Sequence, residues 1–266
     1  MLVNRLWTVA HRQWRSTLFL ALVLLFTGVA GWSMTCDTEQ TIIASRAGPG
    51  HVYLALGDSL AVGLTVQHPD EAYVMRIVQA LQHHQPIEVR NIAVPGETTV
   101  SMLQRQLPQA LAIIHMERAG GRRVSPITID IGGNDAIAAK RDAAADWQQA
   151  IAMIEANIAK ILDALIVATT TSAEQRSADI VIMTYYNPFP GDETDTDDFT
   201  YWNAQLNSAI KRVAHNRSVA VADIASPFAG DNVYRYTNIA TGDIHANTEG
   251  HALIAEAFLE ALGYDE

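Results

Sequence analysis

Short apolar runs alternate along this chain with stretches in which apolar residues return every three or four positions. VYLALG, Val52–Gly57, is apolar throughout, the pattern of a strand buried on both faces of a parallel sheet. Tyr73, Val74, Ile77, Ala80 and Leu81 then recur at helical spacing, and IEVRNI, Ile87–Ile92, follows as a second strand. One helix is expected through Met102, Leu103, Leu107, Leu111 and Ile114. ITIDI, Ile127–Ile131, alternates apolar and polar residues and predicts a third strand of period two. The longest helical stripe carries Ile151, Ile154, Ile158, Ile161, Leu162 and Leu165, an apolar face made for the core. DIVIMTYY (Asp179–Tyr186), a helix through Trp202, Leu206, Ile210 and Val213, the strand SVAVAD (Ser218–Asp223) and a last helix from Thr248 to Leu262 complete the series. Five strands interleaved with helices predict an α/β domain, a three-layer α/β/α sandwich around a five-stranded, mostly parallel sheet. Sheets of this kind place functional groups beyond the carboxyl ends of their strands, and Ser59, Gly96 and Asn134 all fall there.

The chain has 266 residues, 49% hydrophobic and 18% charged, enough to bury one sizeable core. No internal repeat or second compositional region interrupts it. Ahead of the domain, expected over residues 51–266, residues 37–50 are polar and end in AGPG, a linker with breakers. Residues 1–36 form a different segment. Arg12 and Arg15 precede an uncharged run, Ser16–Cys36, centred on LFLALVLLF, and Asp37 and Glu39 follow it. Positive charge before the run and acid after it predict a cytoplasmic N-terminus and export of the remainder to the cell surface or beyond. Two outcomes stay open: cleavage as a signal peptide after Ala30, or retention of residues 16–36 as a membrane anchor, for which the run is long enough.

The formal net charge is −11, and the first 36 residues hold three arginines and no acid, so the remainder carries −14. An acidic domain without a basic stripe argues against nucleic acid as a partner. Cys36 is the single cysteine, which excludes an intrachain disulfide and a thiolate metal cluster. The residues before it, WSMT, lack the leucine and small residue that lipoprotein attachment needs.

Four segments carry candidate chemistry: GDSL at Gly57–Leu60, NIAVPGET at Asn91–Thr98, IGGND at Ile131–Asp135 and GDIHAN at Gly242–Asn247. In this order they resemble the SGNH hydrolases, also called the GDSL esterase/lipase family, of the secreted bacterial type, over roughly Val52 to Leu262. The resemblance implies a flavodoxin-like fold and a serine hydrolase acting on carboxylic esters without a cofactor or metal. It implies Ser59 as nucleophile, His245 as base, and the Ser59 and Gly96 backbone N–H groups with the Asn134 amide as oxyanion donors. The chain departs from the family pattern at Ala93, where many members have glycine, and at Gly242, which stands where the family has its acid. The nearest carboxylate is Asp243, two residues before the histidine. Either Asp243 orients His245, or a backbone carbonyl holds the ring and leaves a Ser-His dyad.

The chemistry demands these residue types on its own terms. A serine hydroxyl needs a neighbouring base to take its proton as it attacks, and imidazole, with a pKa of about 6.5, suits that task near neutral pH. Among nine histidines, His245 lies in a loop entering the last helix, whereas His251 falls inside that helix and reads as packing or exposed. The tetrahedral oxyanion needs aimed donors, and glycine lets backbone approach closely. Taken singly, Gly96 reads as a turn residue and Asn134 as a helix cap. Asp58, adjacent to Ser59, is expected to bond nearby backbone. Ala61 breaks a GxSxG pattern, against the nucleophile elbow of α/β-hydrolases. The acidic loop PGDETDTDDF, Pro190–Phe199, lacks EF-hand spacing and reads as solvated, and Tyr185, Tyr186, Asn187 and Phe189 before it are candidates for an acyl or alcohol pocket. Deacetylation of carbohydrate, thioester hydrolysis, or a silent surface-anchored binding module are the rival functions.

Overall fold

The computed structural model describes residues 47–171 and 173–264; the expected export segment and most of the linker lie outside them. The end of that linker is fixed to the domain: the Ala47 and Gly48 N–H groups donate to the Asp179 carboxylate at 2.9 and 2.8 Å, and Arg123 donates to the carbonyls of Ala47, Gly48 and Pro49.

Five parallel strands, β1 (Val52–Leu56), β2 (Glu88–Asn91), β3 (Val124–Ile129), β4 (Ile180–Met183) and β5 (Ala220–Ala222), pair in the order β2-β1-β3-β4-β5. Helices cover both faces. On one side α2 (Tyr73–Gln82) packs on α9 (Thr248–Leu262), with α8 (Asn232–Tyr236) beside it. The other side is built from α4 (Gln106–Ala119), α6 (Trp147–Thr169) and α7 (Phe199–His215), joined by the shorter α3 (Thr99–Gln104) and α5 (Gly133–Arg141). The chain leaves β1 outward to β2 and then returns across it to β3. That reversal opens a crevice at the carboxyl ends of β1 and β3, where ligands bind in sheets of this order.

Two local expectations are corrected. The third strand does not alternate: every residue from Val124 to Ile129 is buried, because helices lie on both faces. Its polar positions are accommodated by pairing, the Thr128 and Tyr53 hydroxyls lying 2.8 Å apart and the Ser125 hydroxyl donating to the Gly48 carbonyl at 2.8 Å, as buried polar groups require. The single helix expected through Met102–Ile114 is two, α3 and α4, broken at Arg105 (φ −122°, ψ −66°). Pro108 is the physical cause: it has no N–H for the Gln104 carbonyl, and its ring would clash there in a continuous helix. The capping of α9 also bears on the site. Asn247 accepts the Gly250 N–H at 3.0 Å, which fixes where the helix begins and so anchors the loop immediately before it.

Candidate active site

The short helix α1 (Ser59–Val62) begins directly beyond β1, with the Asp58 carboxylate accepting the Leu60 N–H at 3.0 Å as its cap. The turn into it is tightly held. Gly57 is clamped from both sides by the buried Gln106 side chain, which accepts its N–H at 2.9 Å and donates to its carbonyl at 2.8 Å. A Cβ on Gly57 would lie 1.3 Å from Asp130 Oδ1, so only glycine lets the chain pass over that carboxylate. Asp130 Oδ1 in turn accepts the Asp58 N–H at 2.8 Å.

Ser59 Oγ lies 2.8 Å from His245 Nε2, and His245 Nδ1 lies 2.5 Å from Asp243 Oδ1. The same Asp243 oxygen accepts the His245 backbone N–H at 3.0 Å. The local turn makes this reach possible. Gly242 has φ +87°, a left-handed conformation that suits glycine, and after it the chain doubles back so that an acid two residues before the histidine meets the ring. Loop 238–245 is closed by backbone bonds from Asn238 N–H to the His245 carbonyl and from Asp243 N–H to the Asn238 carbonyl. It is braced from outside by Tyr186 OH on the Ile244 carbonyl and Thr65 Oγ1 on the Ala246 carbonyl. Burial pushes the Asp243 carboxyl upward, but the His245 backbone and ring outweigh it, so its pKa falls below the ordinary range.

Asn134 sits at the second position of α5, which the hydrophobic pattern did not reveal. It does not cap that helix. Its amide donates to Asp58 Oδ2 at 3.2 Å and to the Glu97 carbonyl at 2.9 Å. The next residue, Asp135, accepts the Thr99 N–H at 2.9 Å and the Thr99 hydroxyl at 2.6 Å, docking α5 against α3. Gly96 occupies an exposed turn with φ +77°, adjacent to the Glu97 carbonyl that Asn134 holds. It does not line the cleft beside Ser59. The loop bearing it is bonded to the turn before Ser59 by Val94 N–H to the Gly57 carbonyl at 3.0 Å.

Asp58 does more than bond nearby backbone. Besides Leu60 N–H and Asn134 it accepts the Tyr185 hydroxyl at 3.1 Å. Burial raises its pKa, as it does that of Asp130, where the Asp58 charge adds to the effect. Asp58, Gln106 and Tyr185 therefore belong to the machinery around Ser59, and Gln106 carried no signal beyond being a polar residue in a mostly apolar helix. His251 is fully buried, its ring stacked 6.2 Å from that of Tyr73.

A cleft leads away from Ser59, Asn134 and His245 toward α5 and α7. Tyr185 and Tyr186 line it; Asn187 does not, donating instead to Thr200 Oγ1, and neither does Phe189, which packs edge-on against Phe199. The acidic loop 191–197 is exposed, and its Asp192 and Asp195 carboxylates accept N–H groups within the loop. Among the described residues no group of His, Cys, Asp or Glu side chains is arranged to hold a metal ion.

Residues 55–253 match the model of the GDSL-like lipase/acylhydrolase family. Among solved structures, the acetylxylan esterase Axe2 from Geobacillus stearothermophilus is similar at 20% identity and a TM-score of 0.60, over 83% of this chain and 97% of that one. The psychrotrophic esterase EstA from Pseudoalteromonas sp., in a structure inhibited by monoethylphosphonate, is similar at 14% identity and a TM-score of 0.54, over 80% and 97%. A search of curated proteins gave no significant match.

Proposed function

The chain belongs to the GDSL-like lipase/acylhydrolase family and is a carboxylic ester hydrolase, and on that premise we propose that it is a serine esterase working through an acyl-enzyme on Ser59. The observation that carries this reading is the continuous contact from Ser59 Oγ through the His245 ring to Asp243. With Nδ1–H donated to Asp243, His245 Nε2 is left as the acceptor for the Ser59 proton. Ser59 Oγ attacks the ester carbonyl carbon while His245 takes that proton, and the carbonyl oxygen becomes an oxyanion. The Ser59 N–H group and the Asn134 amide are its donors, and the Asn134 hydrogen on Asp58, in the longer of its two bonds, is the one that turns to meet it; Gly96, which the family resemblance implies as a third donor, stands off the cleft. The C–O bond to the alcohol then breaks, and the alcohol leaves with the proton from His245. Water, deprotonated by His245, attacks the acyl carbon, the bond from that carbon to Ser59 Oγ breaks, and His245 returns the proton to Oγ as the acid departs.

Asp243 orients the base, which favours a triad over a dyad. Deacetylation of carbohydrate is a second reading, suggested by the likeness to an acetylxylan esterase. Export is the proposed destiny of the domain, supported by Arg12, Arg15 and the apolar run behind them; cell fractionation that finds the protein cytoplasmic with its N-terminus intact would reject it. The catalytic reading is tested with residues 37–266 on short-chain aryl esters. Ser59→Ala is expected to lower kcat by about 10³-fold or more and to abolish labelling by an alkylphosphonate, and equal turnover by the two proteins defeats the mechanism.

A further inference from the structure

The structure assigns a single proton to the buried pair Asp58 and Asp130, carried at neutral pH by Asp130 Oδ2, and makes Asp130 a positioning residue that serves as a neutral acid beneath the turn before Ser59. Two observations carry it. The first is the hydrogen-bond pattern of the four carboxyl oxygens, in side chains that are wholly or almost wholly buried. Asp58 Oδ1 accepts the Leu60 N–H, and Asp58 Oδ2 accepts both the Asn134 amide and the Tyr185 hydroxyl. Asp130 Oδ1 accepts the Asp58 N–H at 2.8 Å. Asp130 Oδ2 accepts from no group. Donors face three of the four oxygens, so only the fourth has room for a hydrogen of its own.

The second is the set of groups around Asp130. Those that act on it are Asp58 at the cap of α1, Tyr53 on β1, Tyr73 on α2, and Tyr185 and Tyr186 beyond β4; none is a cation. A wholly buried carboxyl group without a paired charge, beside a second carboxylate, is the arrangement in which one of the two acids keeps its proton. Burial, and then the Asp58 charge, push the Asp130 carboxyl well above the ordinary range, whereas that of Asp58, held back by its donors, rises only to about 6. The Tyr73 hydroxyl is also buried without a partner and interacts with Asp130, so a proton on Oδ2 gives both orphaned groups a use. The division serves the reaction. A neutral Asp130 still accepts the Asp58 N–H and fixes the chain where it passes over at Gly57. The one charge of the pair stays on Asp58, where it holds the Asn134 amide and is felt by His245. This role rests on Ser59 being the nucleophile; the proton itself does not.

The test compares two variants. Asp130→Asn reproduces the neutral acid, an oxygen for the Asp58 N–H and a hydrogen for Tyr73, whereas Asp130→Leu offers neither. At neutral pH the infrared spectrum of the native protein should contain the C=O band of a protonated carboxyl group, shifted in heavy water and absent from Asp130→Asn. In urea, the unfolding constant of the native protein should rise relative to that of Asp130→Asn by up to about tenfold per pH unit between about pH 6.5 and about pH 8, because the folded chain holds a proton that the unfolded chain releases above about pH 4. With a short-chain aryl ester, Asp130→Leu should lower kcat by about 10²-fold through displacement of the turn, and Asp130→Asn should exceed it by about tenfold or more. The spectrum and the urea profile need only the Asn variant, so they decide the proton even where Asp130→Leu fails to fold. A native spectrum without the band, or parallel urea profiles, overturns the proton on Asp130 whatever Ser59 does. Equal losses of kcat in the two variants overturn the positioning role. Turnover that survives Ser59→Ala overturns the catalytic reading and the positioning role with it, while the proton is still read from the spectrum and the urea profiles.

Discussion

Two sets of carboxylates flank Ser59, and their surroundings give them opposite work. Asp243 stands on a loop, its side chain 45% exposed, and its charge is held by the His245 ring and backbone. Below Ser59, Asp58 and Asp130 are almost wholly buried. There burial disfavours their charge, and they act as acceptors that fix the nucleophile turn, the Asn134 amide and the Tyr185 hydroxyl. In the proposed mechanism the upper acid serves proton transfer, whereas the lower pair is part of the floor on which the site is built. Water decides the division, since a carboxylate must be solvated or paired to stay charged.

The sharpest way to break this comparison is Asp243→Asn. The amide cannot accept from Nδ1–H as a carboxylate does, so the base loses its orientation, and kcat should fall by about 10²- to 10⁴-fold, with the melting temperature nearly unchanged because the side chain is exposed. An unchanged rate would return the site to a Ser-His dyad. A smaller effect is expected in the floor. Tyr185→Phe removes one donor from Asp58 Oδ2, which then holds the Asn134 amide more strongly and resists its turn toward the oxyanion. A lost oxyanion donor costs about 10²- to 10³-fold; here the donor remains, so kcat should drop by only about tenfold, with KM little changed. A rise in KM at constant kcat would make Tyr185 a wall of the cleft and nothing more.

The strand series and the parallel architecture were legible in the sequence because apolar runs and helical stripes report burial directly. Ser59, Asn134 and His245 were legible for a different reason, as parts of four short segments in a fixed order. What escaped depends on contacts across the fold. The break at Arg105 was written in Pro108 but masked by an apolar stripe that continues through it. Helix α5 was hidden because its few apolar residues, Ala136, Ile137, Ala138 and Ala139, make no long stripe. The reach of Asp243 turns on the left-handed backbone of Gly242, and the clamp on Gly57 on a glutamine 49 residues away. The Glu97 carbonyl that holds Asn134 is main chain, which no residue type announces.

The floor also contains the second histidine of the region, and it offers the smallest of the expected effects. His251 lies six residues after His245 yet is wholly buried. Its Nδ1 accepts the Tyr73 N–H at 3.3 Å, while its Nε2 has no partner, so a proton there would go unpaired. Burial, helped by the nearby Arg76 charge, lowers its pKa to about 4. Unfolded, it titrates near 6.5, so between those values the unfolded chain binds a proton that the folded one refuses. Stability is then lost as pH falls through that window, by at most about 3 kcal/mol. Asp58 and Asp130 act in the opposite sense, since their raised pKa values let the folded state take up protons first. The raw acid profile therefore mixes the two, and the informative quantity is the difference between the protein and His251→Phe in urea unfolding at each pH. That difference should be constant above about pH 7 and change steadily toward pH 4 as the native protein alone loses stability. Parallel profiles would mean that His251 finds a proton partner in the folded state, and the floor would then share the charge chemistry that the comparison assigns to the loop above it.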